Sequence, residues 1–386
     1  MKISDILHAK EWSLIRQSTD AIQTPFLIVN LNVVRRKYEE LSKNFPFAKL
    51  FYAVKANPAP EILSVLRDMG SGFDIASIYE LDRLLQLGIK PEQISYSNPV
   101  KKVSDIRYAY EHGIRLFTTD SECDIRNLAE YAPGAKIICR ILTEGGNAAE
   151  WSSSRKSGCH PDTAIELVLL CRELGLEPYG ISFHVGSQQR DIAIWSSSLN
   201  KVTRIFEDLA EQGIQMKLIN MGGGLPAKYI SRVKPMRTYA HEISKYLANN
   251  FGDHLPEIMM EPGRALVAEA GVLITEVIQV SGKSSVDPDK WVYIDAGKFN
   301  GMIETIGESI EYPVYCEAEG ELSQQFILAG PTCDSQDILY DDTRVPLPEW
   351  LNQGDRIYFL SAGAYTTSYC SVEFNGYPPM KTYFVQ

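Results

Sequence analysis

The sequence predicts an α/β fold: a (β/α)8 TIM barrel over residues 33–265, joined to a mostly antiparallel β domain built from 1–32 and 266–386. Two observations lead there. Short apolar, β-branched runs alternate with amphipathic helical stretches, giving eight strand-helix units in the first two thirds of the chain. Such alternation implies a parallel sheet with right-handed crossovers, and eight units close into a barrel more readily than they stay open as a doubly wound sheet. Beyond about residue 265 the helical pattern stops and strand-like runs follow one another across turns.

The barrel strands are expected in AKLFYAVK (48–55), GFDIAS (72–77), ISYSNP (94–99), LFTTD (116–120), KIICRI (136–141), YGISFHVG (179–186), LINMGGG (218–224) and IMMEPGR (258–264). Between them, PEILSVLRDMG and DTAIELVLLCRELG read as helices that stop at Gly70 and Gly175. The β domain is expected from VLITEVIQV, KWVYIDAGKF, QFILAGP, DRIYFLSAGAY and MKTYFV, with FLIVNL (26–31) as an early strand able to join it.

The 386 residues are 45% hydrophobic, enough for two domains with large cores. A formal net charge of -11 argues against a nucleic-acid or anionic-membrane partner. MKISDILHAKEW interrupts every apolar stretch with a charge, so no secretory signal is expected, and a cytoplasmic protein is. Seven cysteines without a CxxC pair and six histidines without HExxH point to free thiols and no metal site.

Chemistry in such a barrel sits in the loops after the strands. The strand ends read Lys55, Asp74 with Ser77, Asn98, Asp120, Arg140, His184 with Ser187, Gly222 to Gly224, and Glu261 with Arg264, while the strand bodies are almost purely apolar. Singly, Lys55 is a solvated charge, the glycines a flexible turn and His184 a satisfied core residue. Sorted to one rim, they describe a site. The loops after strands seven and eight often bind phosphate, and there Gly222, Gly223 and Gly224 expose backbone N–H groups while Arg264 adds a charge. A phosphate site, an inward lysine and a neighbouring carboxylate suggest pyridoxal 5′-phosphate, whose aldehyde needs a lysine and whose ring nitrogen needs an acid. Lys55 and Glu261 fit those roles, and His184 fits stacking on the flat ring.

The motifs YAVKANP, GFDIAS, SFHVGS, MGGG, EPGR, GPTCDSQD, GAYT and EFNG occur in order over nearly the whole chain. Together they resemble the alanine-racemase-fold (fold-type III) pyridoxal-phosphate decarboxylases, in their ornithine and lysine/ornithine branch. The resemblance implies Lys55 as the lysine that carries the cofactor as a Schiff base, with Asp74, Glu80 and Arg140 as the polar network around it. It further implies that His184 stacks on the ring, that Glu261 pairs with the ring nitrogen, and that Ser187, Gly222, Gly223, Gly224, Arg264 and Tyr365 hold the phosphate. Cys333 matches the residue that manages protonation after carbon dioxide leaves, and Asp334 an acid that meets the substrate's distal amine. Both positions reach the site from a partner subunit in this family, which implies a homodimer, and Lys156 with Asp337 matches a pair bridging the subunits. Phe374, in EFNG, falls with the substrate contacts.

Departures concern the substrate. Family members commonly carry an aspartate in the segment after the DAGKF strand; IETIGES offers Gly307 there, with Glu304 and Glu308 as longer-armed neighbours able to substitute. Ser157 stands where phenylalanine is usual and Leu225 where an aromatic residue is common. Decarboxylation of a basic L-amino acid, ornithine or lysine, is therefore expected, with arginine or another larger basic amino acid as the alternative. Asp334 argues against a diaminopimelate substrate, and Glu261 against racemization, which in this fold uses an arginine at the ring nitrogen. A non-catalytic regulatory relative should lack Lys55 or Cys333.

Overall fold

The computed structural model describes residues 3–19, 21–143, 149–151, 156–286, 289–317, 324–371 and 373–386. They form two compact units, one of 37–226 and 234–263, the other of 1–36, 227–233 and 264–386.

In the first unit eight parallel strands close into a barrel: Ala48–Ala53, Gly72–Ile75, Ile94–Tyr96, Leu116–Thr119, Lys136–Arg140, Glu177–Ser182, Leu218–Asn220 and Glu257–Met260. Each expected run supplies one strand, and the sheet is closed rather than open. Local chemistry sets the helix ends. Ser77 caps helix Ile78–Gln86 by accepting the Glu80 N–H at 3.3 Å. Proline opens helices Pro60–Asp68 and Pro161–Glu173, where its missing N–H costs nothing.

Strand register sorts the barrel interior into tiers. Ile138, Leu218 and Met259 are buried together, with Phe51, Leu116 and Tyr179 packed on them. Two residues further on come Arg140, Asn220 and Thr118 on the same strands and the same face, and Glu261 just past the end of its own. Ser182 pairs with Arg140 on one side and Asn220 on the other, and Asp74 with Ala53 and Ser95. An apolar plug thus supports a polar tier at the C-terminal end of the barrel.

The second unit is built on an eight-stranded sheet whose main path runs Val314–Cys316, Arg356–Leu360, Gly271–Gly282, Lys290–Ile294, Gln324–Ala329, Ile338–Leu347. Strand Phe26–Asn30 pairs antiparallel with Gly271–Gly282 and parallel with Lys381–Val385. Lys290–Ile294 and Gln324–Ala329 are also parallel, and the remaining pairs are antiparallel. Among the described residues no helix is long and apolar enough to cross a membrane, and no group of His, Cys, Asp and Glu could hold a metal ion.

Candidate active site

The first barrel strand does not end on Lys55 but passes into a single 3-10 turn, Val54–Ala56, that carries it. The Asn57 N–H closes this turn on the Val54 carbonyl at 3.1 Å, and the Tyr52 hydroxyl donates to the Asn57 carbonyl at 2.9 Å. The lysine is therefore presented by anchored backbone. It lines a cleft with Ser97, Thr118, Arg140, Ser182, Phe183, His184 and Glu261.

Glu261 follows the eighth strand, and its Oε1 accepts a hydrogen bond from Asn220 Nδ2 at 2.5 Å. The same asparagine's Oδ1 accepts the Gly222 N–H at 2.9 Å. Asn220 therefore ties the carboxylate to the glycine loop. A Cβ at Gly222 would collide with the Phe183 carbonyl, and one at Gly223 would lie 2.7 Å from the Glu261 carbonyl oxygen. These positions need glycine because backbone already fills the side-chain space.

Half-buried His184 accepts the Gly223 N–H on Nδ1 at 3.3 Å, which places any ring proton on Nε2. Burial, aided by the charges of Arg140 and Lys55, pushes its pKa down to about 3, so the imidazole is neutral at physiological pH. Asp74, fully buried, goes the other way: burial first and the Glu261 charge second hold its carboxyl well above the usual range, against the opposing pull of Lys55 and a Ser97 hydrogen bond. Burial also raises Glu80, whose carboxylate accepts the Ala76 N–H at 2.6 Å and feels Lys55.

These residues fit pyridoxal phosphate. Asp74 Oδ1 and the Ser95, Thr118 and Ser182 hydroxyls are buried in the polar tier without a hydrogen-bond partner among the described residues. The tier thus holds polar capacity that the protein alone does not saturate. An amine, a carboxylate held by an amide, a neutral imidazole and a bare glycine backbone answer the aldehyde, ring nitrogen, ring face and phosphate in turn.

In the second unit, Arg264 pairs with Glu304 through Nη2–Oε1 at 2.5 Å and Nη1–Oε2 at 2.7 Å, with both side chains about 5% exposed or less. Nη1 also donates to the Tyr229 hydroxyl at 2.9 Å, and the guanidinium lies 4.8 Å from the Tyr365 ring centroid. Glu304 is thus committed to Arg264 rather than available to a substrate amine. Glu308 is committed as well: it accepts the backbone N–H groups of Asp341, Asp342 and Thr343 at 2.6 to 2.8 Å. Partial burial would raise its pKa, but these bonds outweigh it and leave the pKa lowered. Between them Gly307 has φ 59°, and a Cβ there would meet only Ser309 Oγ at 3.8 Å.

Cys333 is exposed, its N–H donating to Asn375 Oδ1 at 3.2 Å and its Sγ 3.5 Å from the same oxygen. Asp334 accepts the Gln336 N–H at 2.8 Å, and Phe374 packs on Phe299 at a centroid distance of 4.7 Å. Asp337, expected to pair with Lys156 between subunits, has partners within its own chain. This residue is 2% exposed and accepts hydrogen bonds from Lys298 N, Thr332 N and Thr332 Oγ1 at 2.6 to 3.1 Å. Within the chain it organizes its own loop.

Sequence reasoning missed Asn220, Tyr229 and Asn375. A signal existed for Asn220: it lies one period of two beyond Leu218 on the inward face of its strand.

Residues 31–268 match the family described as "Pyridoxal-dependent decarboxylase, pyridoxal binding domain". The chain is 33% identical to the lysine/ornithine decarboxylase of Selenomonas ruminantium over 357 residues, covering 92% of this chain and 88% of that protein. Its structure is similar to that of the lysine/ornithine decarboxylase from Vibrio vulnificus complexed with putrescine, at a TM-score of 0.88 and 26% identity over 98% of this chain and 99% of the other. It is likewise similar to the Paramecium bursaria Chlorella virus arginine decarboxylase bound to agmatine, at 0.86 and 27%, over 97% and 100%. With a lysine, a held carboxylate and a glycine loop converging on one barrel mouth, and with that match over most of the barrel, the chain belongs to the pyridoxal-dependent decarboxylases of fold-type III.

Proposed function

We propose that this protein decarboxylates a basic L-amino acid, ornithine or lysine, to the corresponding diamine and carbon dioxide. The carrying observation is the Lys55, Glu261 and His184 grouping around one cleft, with Asn220 fixing the acid. When bound, pyridoxal phosphate supplies an electron sink for the pair of electrons left when carbon dioxide departs.

The chain's own groups have distinct tasks. Lys55 Nζ is the amine that would hold the cofactor through its aldehyde. Asp74, whose carboxyl is pushed well above the usual range by burial and then by the Glu261 charge, feels the Lys55 charge and would exchange a proton near that amine. Glu261, supported by the Asn220 amide, keeps a proton on the ring nitrogen. A neutral His184 stacks without adding a positive charge against the ring. Ser187, the three glycines, Arg264 and Tyr365 receive the phosphate, while Arg140 and Glu80 complete the polar surround. Cys333, steadied by Asn375, donates a proton from Sγ to the carbon that lost the carboxylate. Asp334 and Phe374 face the substrate from the partner chain of a homodimer in the cytoplasm.

A larger basic substrate such as arginine is the second reading. It is favoured by the open space at Gly307 and by the commitment of Glu304 and Glu308 to other partners. Incubating the holoenzyme with ornithine, lysine, arginine and neutral L-amino acids, with detection of carbon dioxide and amine, tests both readings. Release from a basic amino acid alone is expected. Turnover of none of the three basic amino acids would refute the proposal.

A further inference from the structure

We propose that Glu304 is a positioning residue for the cofactor phosphate: it fixes the Arg264 guanidinium in one orientation and so links phosphate binding to the turn Ile303–Glu308. The inference rests on the reading of Arg264 as a phosphate ligand, drawn from its place after the eighth barrel strand.

Both oxygens of Glu304 are used on one arginine, at 2.5 and 2.7 Å, and the pair is buried. A two-point contact defines the guanidinium plane, which a single contact does not. Tyr229 holds Nη1 from another direction, and the Tyr365 ring lies 4.8 Å from the charge centre. Arginine otherwise loses much rotamer freedom when it meets a ligand; here that loss is taken during folding. A second observation places unmet polar capacity in the same cluster. The Tyr312 hydroxyl is buried with no partner among the described residues, its ring edge-on to Tyr229 at 5.4 Å. An oxygen of an incoming anion or of its bridging water would satisfy it.

The Glu304 charge also opposes a phosphate, so orientation and repulsion compete. Orientation prevails because each oxygen of Glu304 is already paired with a guanidinium N–H, whereas an Arg264 without that partner would turn to other buried acceptors. The turn gains from the same bond: Glu304 secures one end and Glu308, on three amides of the neighbouring strand, the other.

The test compares pyridoxal phosphate with pyridoxal, which has the same aldehyde and no phosphate. Each is titrated into cofactor-stripped full-length protein and read by the absorbance of the adduct with lysine. Glu304→Gln is expected to raise the Kd of pyridoxal phosphate about tenfold or more while leaving that of pyridoxal nearly unchanged. Glu304→Asp keeps the charge, guards against loss of folding, and is expected to fall between. In an Arg264→Met background, Glu304→Leu should cause no further loss of preference for the phosphate form, because the residue acts through the arginine. Unchanged or tighter binding of pyridoxal phosphate by Glu304→Gln would overturn the proposal, as would equal losses for both aldehydes or a further loss in the Arg264→Met background. Equal affinity of the wild type for both aldehydes would instead remove the phosphate role of Arg264 itself.

Discussion

Glu261 and Asp74 are two acids of one polar tier with different neighbours. An amide donates to Glu261 at 2.5 Å and fixes its carboxylate in place. Asn220→Ala removes that donor and releases the Gly222 N–H, and a support of this kind is typically worth about ten- to a hundredfold in activity. We expect a loss of that size in kcat with a smaller change in KM, and a larger loss for Glu261→Gln; steady-state kinetics on the preferred amino acid checks both. Burial, then the Glu261 charge, keeps the Asp74 carboxyl protonated to higher pH than in the unfolded chain. The folded state retains a proton that the unfolded state has released, so stability falls as pH rises through that window. Asp74→Asn removes this dependence. The Tm of the cofactor-free variant should gain on that of the wild type as the pH is raised from about 5 to about 8. An advantage that stayed constant over that range would mean the buried carboxyl is ionized.

At the scale of elements, the turn Ile303–Glu308 holds its glycine between two committed acids. Gly307→Asp places a carboxylate where space is open, at a positive φ that costs a non-glycine residue roughly 1 kcal/mol and aspartate less than most. If this turn faces the distal end of the substrate, the variant should shift kcat/KM towards ornithine and lysine over arginine by about tenfold or more. Gly307→Asn, with the same shape and no charge, should shift it little. Identical preferences in wild type and Gly307→Asp would remove the turn from specificity. The barrel itself was legible in the sequence because strand and helix periods alternate eight times, and Lys55, His184 and Glu261 were legible because ionisable residues end apolar runs. The fates of Glu304, Glu308 and Asp337 were not. Their partners lie 30 or more residues away or in an irregular loop, at Arg264, Asp341 and Lys298, and a 3-10 turn leaves no periodic pattern to reveal them. Asn220 lies inside the run LINMGGG, so only its two-residue spacing from Leu218 marks it.

For the whole molecule, the account assigns Cys333 and Asp334, in the second unit, to the site of a partner chain. Mixing inactive Lys55→Ala with inactive Cys333→Ala protein should then restore up to about a quarter of wild-type activity per site, by statistical exchange in a two-fold dimer. No recovery after verified exchange would place each site within one chain. The central claim, that Lys55 is the cofactor lysine of a decarboxylase site at the barrel mouth, is tested most directly by reducing the holoenzyme with borohydride and mapping the modified peptide. The account predicts a pyridoxyl group on Lys55, in the peptide containing FYAVKANP, and on no other lysine. A group fixed on another lysine, with Lys55 unmodified, would contradict it.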